Sequence, residues 1–290
     1  MEEGLLQQAV AAASELLEVT HQRGSQAQLR NGFVARDVSS QPLPPATELL
    51  RHSGKGGLQL RMALVFIWLA GPRVDGHVGL PPYTVRLPVR TLARFMGLHQ
   101  GLASDRRRIR ENATSLAMAG FIDVVAIRDE IAITLLRDLP TELRSSDTPY
   151  FRPGIATTER DPRLDAYLTL PSSFFTDGWL TLLTPAALTV FLAFRYLNQT
   201  KLSTDQGLFI SEHLRQERFG FSERTYYAGS LELATRGLVK SWSQHVRGPT
   251  AEGPRKVRRV FAIRRGLFDG WLTPEPTAAR SDMPTSLEDD

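Results

Sequence analysis

Arginine is the residue type through which this chain could do concentrated chemistry. The stretch from Ser104 to Gly120, SDRRRIRENATSLAMAG, carries Arg106, Arg107, Arg108 and Arg110. A guanidinium presents a planar fork of donors that matches phosphate oxygens and the outer edge of guanine. Ile109, Ala113, Leu116 and Ala117 recur at three-and-four spacing, which predicts a helix docked on a core with its cations outside. In that phase Arg107, Arg110, Glu111 and Thr114 point away from the core and are the candidates for base edges. Arg106 and Arg108, together with Arg90, Arg94 and Arg128, suit phosphates.

A second copy of this pattern follows 117 residues later, where LAMAGFIDV at 116–124 reads against LATRGLVKS at 233–241. The same offset carries Arg107 onto Arg224, inside FSERTYYAGSLELATRG. Ser222 is placed to cap a helix that runs through Arg236 and stops at Gly237. Ser222, Arg224, Thr225 and Tyr227 are its candidate contacts, while Tyr226 aligns with Ile109 and is expected to be buried. Farther on, Arg255, Lys256, Arg258 and Arg259 cluster on one prospective strand and suit phosphates. Residues 86–128 hold eight arginines against three carboxylates, and 211–265 hold twelve cations against five. These windows therefore carry +12 while the rest of the chain carries −8, so positive charge is concentrated where the pattern repeats.

Other chemistries find less support. The adjacent tyrosines Tyr226 and Tyr227 invite comparison with DNA-cutting nucleophiles, but that chemistry needs a metal held by closely spaced histidines. His21, His52, His77, His99, His213 and His245 are scattered, and Asp105, Glu111, Asp123 and Asp129 have no metal-sharing spacing. HSGKGG lacks the glycine that a phosphate loop needs five positions before its Gly-Lys pair, because Leu49 stands there, and reads as a turn. There is no cysteine, which excludes disulfides and thiolate metal sites. The expectation is a non-enzyme with no cofactor and no metal.

The uncharged run 178–194 is interrupted by Pro185 and falls short of the ~20 residues of a membrane span, so it reads as a buried element. MEEGLL lacks the layout of a signal peptide. A cytoplasmic protein, at the nucleoid or on a plasmid, with no membrane partner is expected.

The elements that must position the arginines follow from periodicity and punctuation. Residues 1–46 comprise an amphipathic helix (Leu5, Leu6, Ala9, Val10, Ala13, Leu16 and Leu17 on one face) and a linker or arm from His21 to about Ala46. The helix stripe must be buried on its own domain or in a homodimer. Residues 47–145 form a first domain: Thr47 caps a short helix, Leu58 to Ala70 is a central apolar helix, YTVRLP is a strand, VRTLARFMGL a short helix ending at Gly97. Two strands then turn tightly at Arg128 and Asp129. Residues 146–166 are a linker. Residues 167–272 form a second domain, with Thr184-Pro185 opening a central helix, Ser211 capping EHLRQERFG, and a hairpin after Gly237. Leu267, Phe268, Trp271 and Leu272 are expected to tuck back, and 273–290 form a disordered acidic tail.

Helix, strand, helix, helix, hairpin is the order of a winged helix. The expected fold class is α+β, helix-rich, with two winged-helix (helix-turn-helix plus β-hairpin) domains in tandem. Over roughly 47–145 and 167–265 the chain resembles the tandem winged-helix replication initiators of plasmids. The likeness rests on LTPAALTVFLAFRYLNQ…ISEHLRQERFGFSERTYYAGSLELATRGLVKSW and on the L-x-x-x-G-[FL]-[IV] ending at Leu116 to Ile122 and Leu233 to Val239. It implies sequence-specific binding of double-stranded DNA, as a replication initiator or a transcriptional regulator of a mobile element. The alternative is a winged-helix scaffold that binds protein rather than specific DNA.

Overall fold

The computed structural model describes residues 2–20, 26–36, 42–52, 57–70, 83–98, 102–136, 166–199, 207–246 and 256–264. Among them the fold is α+β and helix-rich, with small antiparallel sheets. The expected linker at 146–166, apart from Ala166, the tuck at 267–272 and the tail at 273–290 lie outside the described residues.

Two series of elements in nearly the same order account for most of the described residues, an isolated bridge at Leu208 standing in the second where the first has a strand. The first opens with β1 (Ala27–Arg30), α2 (Asn31–Val34) and α3 (Pro45–His52), preceded by α1 (Glu2–Thr20). It continues through α4 (Leu58–Leu69), β2 (Thr84–Pro88), α5 (Val89–Phe95), α6 (Ala103–Met118) and the hairpin of β3 (Ile122–Ile127) and β4 (Glu130–Leu135). The second opens with β5 (Tyr167–Leu170), α7 (Ser172–Thr176) and α8 (Trp179–Leu182). Next come α9 (Pro185–Gln199), α10 (Glu212–Leu214) with a π-turn over Arg215–Phe219, α11 (Glu223–Thr235), and the hairpin of β6 (Val239–Val246) and β7 (Lys256–Ile263).

Each series closes on an antiparallel sheet with its last strand in the middle. The first has the order β2, β4, β3, with Val85 and Val124 both opposite Ile133. β4 alternates strictly, placing Ile131, Ile133 and Leu135 inward as a one-sided sheet requires. In the second, β7 lies between β6 and an isolated bridge at Leu208, which pairs with Phe261.

α6 and α11 end alike. Gly120 and Gly237 adopt φ +73° and +74°. Phe121 N–H reaches Leu116 O at 3.0 Å and Leu238 N–H reaches Leu233 O at 2.9 Å. These are Schellman ends that need a residue tolerant of the left-handed region. The 117-residue offset seen in the sequence is thus an offset between equivalent backbone hydrogen bonds.

α4 and α9 are apolar on nearly every side and supply the centre of the core, as helices hydrophobic all round must. The core runs unbroken from one series into the other. Trp68 of α4 stacks on Phe175 of α7 at 4.5 Å and lies 6.0 Å from Phe95. Phe174 stacks on Phe191 at 5.2 Å. At the start of α4, a Cβ on Gly57 (φ +59°) would collide with the ring of Pro185 at the start of α9, so the two central helices begin against each other.

The two series also cap each other reciprocally. β1 pairs with β5, Ala27 opposite Leu170 and Arg30 opposite Tyr167. Thr181 of α8 donates its hydroxyl to the Phe95 carbonyl at the end of α5, at 2.6 Å. Thr47 of α3 donates to the Phe219 carbonyl at the end of the π-turn, also at 2.6 Å. Around that second end the first series supplies four more donors: Arg36 Nη2 to Gln216 O, 2.8 Å, Arg36 Nε to Glu217 O, 2.7 Å, Arg36 N–H to Arg218 O, 3.0 Å, and Arg51 Nη2 to Gly220 O, 2.7 Å. Five consecutive carbonyls from 216 to 220 therefore receive donors from 36–51, which satisfies groups that a helix end leaves open.

Three expectations are corrected here. Thr47 lies inside α3 rather than capping it, and its hydroxyl caps the other series. The polar, Pro-containing stretch 21–46 holds β1 and α2 instead of forming an arm throughout, because its partners are distant in sequence. The α1 stripe narrows to Ala9, Ala12, Ala13 and Leu16, with Val10 exposed, and packs on α5, β2 and α7. Ala9, Ala12, Ala13 and Leu16 are thus covered by the chain itself.

Candidate nucleic-acid interface

α6 is held by Ile109, Ala113 and Leu116, all buried, and the outward residues follow from that phase. Arg107, Arg108, Glu111 and Thr114 are exposed. Arg107, whose side chain is 80% exposed, pairs with Glu111 one turn on, Nε to Oε1 at 2.6 Å. A surface pair of this kind is weak, so the guanidinium can exchange its carboxylate for another acceptor.

Two other arginines of the run, Arg106 and Arg110, face the hairpin. Arg106 meets Asp129 at 3.3 Å, and Arg110 donates to the carbonyl of Arg128. Arg128 sits at the two-residue turn with φ +45°, a conformation that costs a non-glycine residue roughly 1 kcal/mol or more. Arg110, expected to reach outward to a base edge, is half-buried and fastens this strained turn to α6. Arg106 and Asp129 do the same from the exposed side. Helix and hairpin tip are thereby fixed relative to each other.

Arg94, expected at a phosphate, instead forms an ion pair with Glu15 of α1. Thr91 donates to the same carboxylate at 2.5 Å, and this bond, with Arg94 and the charge of Arg90, holds Glu15 below the usual carboxylate range. These contacts dock α1 on α5. Arg90 itself is exposed.

α11 presents the matching face with different chemistry. Ser222 caps it, accepting from Thr225 N–H at 3.1 Å, and the two hydroxyls lie 2.9 Å apart. Ser222 and Thr225, expected as contacts, thus order the first turn. Tyr226 turns inward against Phe194, Phe221 and Phe261, ring centroids 6.4, 6.5 and 6.3 Å away. Burial pushes its phenol up to about 12, against the opposing pull of the Ile210 backbone and Arg215. Tyr227 points outward and is 63% exposed, and Leu231, one turn on, is 44% exposed. Arg224, Ala228 and Thr235 complete the exposed edge.

On the second hairpin Arg259 is exposed, while Arg258 bonds Gln244 Oε1 at 3.0 and 2.9 Å and lies over the Phe209 ring at 5.1 Å. Lys256 opens β7 opposite Val246. Arg255 and the side chain of Lys256 lie outside the described residues.

Sequence reasoning missed Leu231, although the 117-residue offset maps it onto Thr114. It also missed Arg61, half-buried between the series, which donates to the Leu183 carbonyl at 2.7 Å. Burial lowers the pKa of its guanidinium, with Glu232 opposing and Arg108 reinforcing the change. No long-range partner of this kind has a local sequence signal.

Among the described residues no group of three or more His, Asp or Glu side chains could hold a metal ion, and no helix is long and apolar enough to cross a membrane. Comparison with family models, with curated proteins and with solved structures finds no match for this chain.

Proposed function

We propose that the two series are winged helices in tandem which bind one double-stranded DNA site in a sequence-specific way. In this reading the chain is a replication initiator-like protein or transcriptional regulator of a plasmid or other mobile element, acting in the cytoplasm. The observation that carries the reading is the repetition of helix, strand or single bridge, helix, helix and hairpin, each time with an exposed edge on the third helix and cations on the hairpin. An α-helix fits the major groove, and a hairpin beside it reaches the backbone. Arg107 and Arg224 occupy equivalent positions on the two edges; Arg128 and Arg259 stand on the two hairpins. The reciprocal caps favour docking of both units as one body, so the halves of the site would need a fixed separation.

Fluorescence anisotropy with a duplex recovered from a random library tests the reading. Arg107→Ala should weaken binding to that duplex about ten- to hundredfold while sparing random duplex, as loss of a bidentate base contact does. Arg259→Ala should weaken both alike and lower the salt slope by about one. No binding of the parent chain to random duplex at low salt, where a basic reader binds at roughly 10⁻⁴–10⁻⁶ M, would refute the reading and favour the protein scaffold.

A further inference from the structure

The geometry points to different base preferences in the two units: α11 reads A·T base pairs through thymine methyl groups, with Leu231 as the specificity-determining residue, whereas α6 offers the guanidinium of Arg107 to guanine. This rests on the DNA-binding reading above.

The edge of α11 is chemically odd for a solvent face. Arg224, Tyr227, Ala228, Leu231 and Thr235 are exposed at helical spacing, and only the first is charged. The acid that would otherwise cross this helix is withdrawn: Glu232 accepts from Thr184 N–H at 3.0 Å and from its hydroxyl, and Arg236 pairs with it at 3.1 Å. Glu223 is confined to the first turn. Between Tyr227 and Thr235 the edge therefore carries no exposed carboxylate; Arg224 stands at its start, and Lys240 and Arg259 are exposed on the hairpin that follows. An apolar strip that begins at a cation and precedes a cationic hairpin is complementary to a groove floor of methyl groups beside phosphate rails. In the major groove only thymine presents a methyl group, and small or aliphatic side chains are its usual contacts. At the equivalent positions α6 carries exposed Arg107, Glu111 and Thr114, which suit polar base edges instead, with Arg110 held at the hairpin turn and Met118 in the last turn.

Uracil exchange isolates the methyl group, since a uracil·adenine pair differs from thymine·adenine by that group alone. The probe is the tightest duplex recovered from a random library, made with thymine or with uracil. The parent chain should lose about four- to fifteenfold in affinity on exchange, corresponding to one or two buried methyl groups. Leu231→Ala should weaken binding to the thymine duplex and lose less than twofold on exchange, while Arg107→Ala should keep the parent's exchange ratio. Leu231→Thr, which retains a methyl, should keep part of that ratio and guards against misfolding of the alanine variant, with thermal midpoints checked for both. An exchange effect below twofold for the parent chain overturns the proposal, as does an undiminished ratio in Leu231→Ala; in the latter case the methyls are read elsewhere and the strip serves another partner. Absence of any preferred duplex would instead remove the DNA-binding reading itself, a distinguishable result.

Discussion

Replacing Thr47 by valine should unfold the chain as a whole more easily, although the residue belongs to the first unit and its partner to the second. Thr47 is buried and donates at 2.6 Å to the carbonyl of Phe219, which is also fully buried. Valine keeps the shape and removes the donor, leaving an acceptor that water does not reach. The expected cost is about 1–3 kcal/mol, the penalty for a buried unsatisfied group. Thr181→Val removes the reciprocal bond to Phe95 from a half-buried site, where water can substitute, so about 0.5–1.5 kcal/mol is expected. Thr47→Ser keeps the hydroxyl and should recover most of the loss. Urea unfolding followed in parallel by tryptophan fluorescence and far-ultraviolet circular dichroism measures these values. Because the core is continuous, both probes should trace one transition, with Thr47→Val shifting its midpoint and leaving its slope alone. Two separated transitions, with Thr47→Val moving only one of them, would refute the reasoning; so would a cost below about 0.3 kcal/mol.

Tyr226 should impose a loss of stability at high pH. Its phenol is raised to about 12 in the fold against about 10 in the unfolded chain, so the neutral form is favoured by folding. Its contribution is complete below pH 10 and is lost as pH rises towards 12, by roughly 1–3 kcal/mol; Tyr226→Phe should flatten that part of the stability profile relative to the parent, measured by urea midpoints from pH 9 to 12. Gly229→Ala should destabilise, although alanine in a helix is worth ~1 kcal/mol over glycine. A Cβ there would lie 2.6 Å from the Ala186 carbonyl and 2.8 Å from Val190, and overpacking of about 1–3 kcal/mol exceeds the helix gain, a sign that calorimetry resolves directly.

Local order was legible where the signal is local. Alternation on either side of Arg128-Asp129 placed the first hairpin, Ser211 and Ser222 marked helix starts through their own hydroxyls, and Gly120 and Gly237 marked equivalent stops. The outward phase of Arg107, Glu111 and Thr114, and the inward turn of Tyr226, followed from the buried stripe. What sequence could not carry was pairing at a distance. β1 and α2 have four residues each, too few for a period, and β1 exists by pairing with a strand more than a hundred residues away. Arg94 reads as a surface cation until Glu15 of α1 folds onto it. Arg110 fits an outward helix phase, yet the carbonyl of a strained turn draws it sideways. The widened turn over Arg215–Phe219 has no signature of its own, since its carbonyls are satisfied by Arg36, Thr47 and Arg51 from the other unit.

If the two units dock on DNA as one body, the separation of the half-sites is fixed by the caps at Phe95 and Phe219 and by the pairing of β1 with β5. The direct measurement is the dissociation constant of the full chain for its selected duplex against the same duplex with five base pairs inserted between the two protected halves. Half a helical turn places the second groove on the opposite face, and the account expects affinity to fall to that of one unit, at least a hundredfold. Equal affinity for the two duplexes would contradict it.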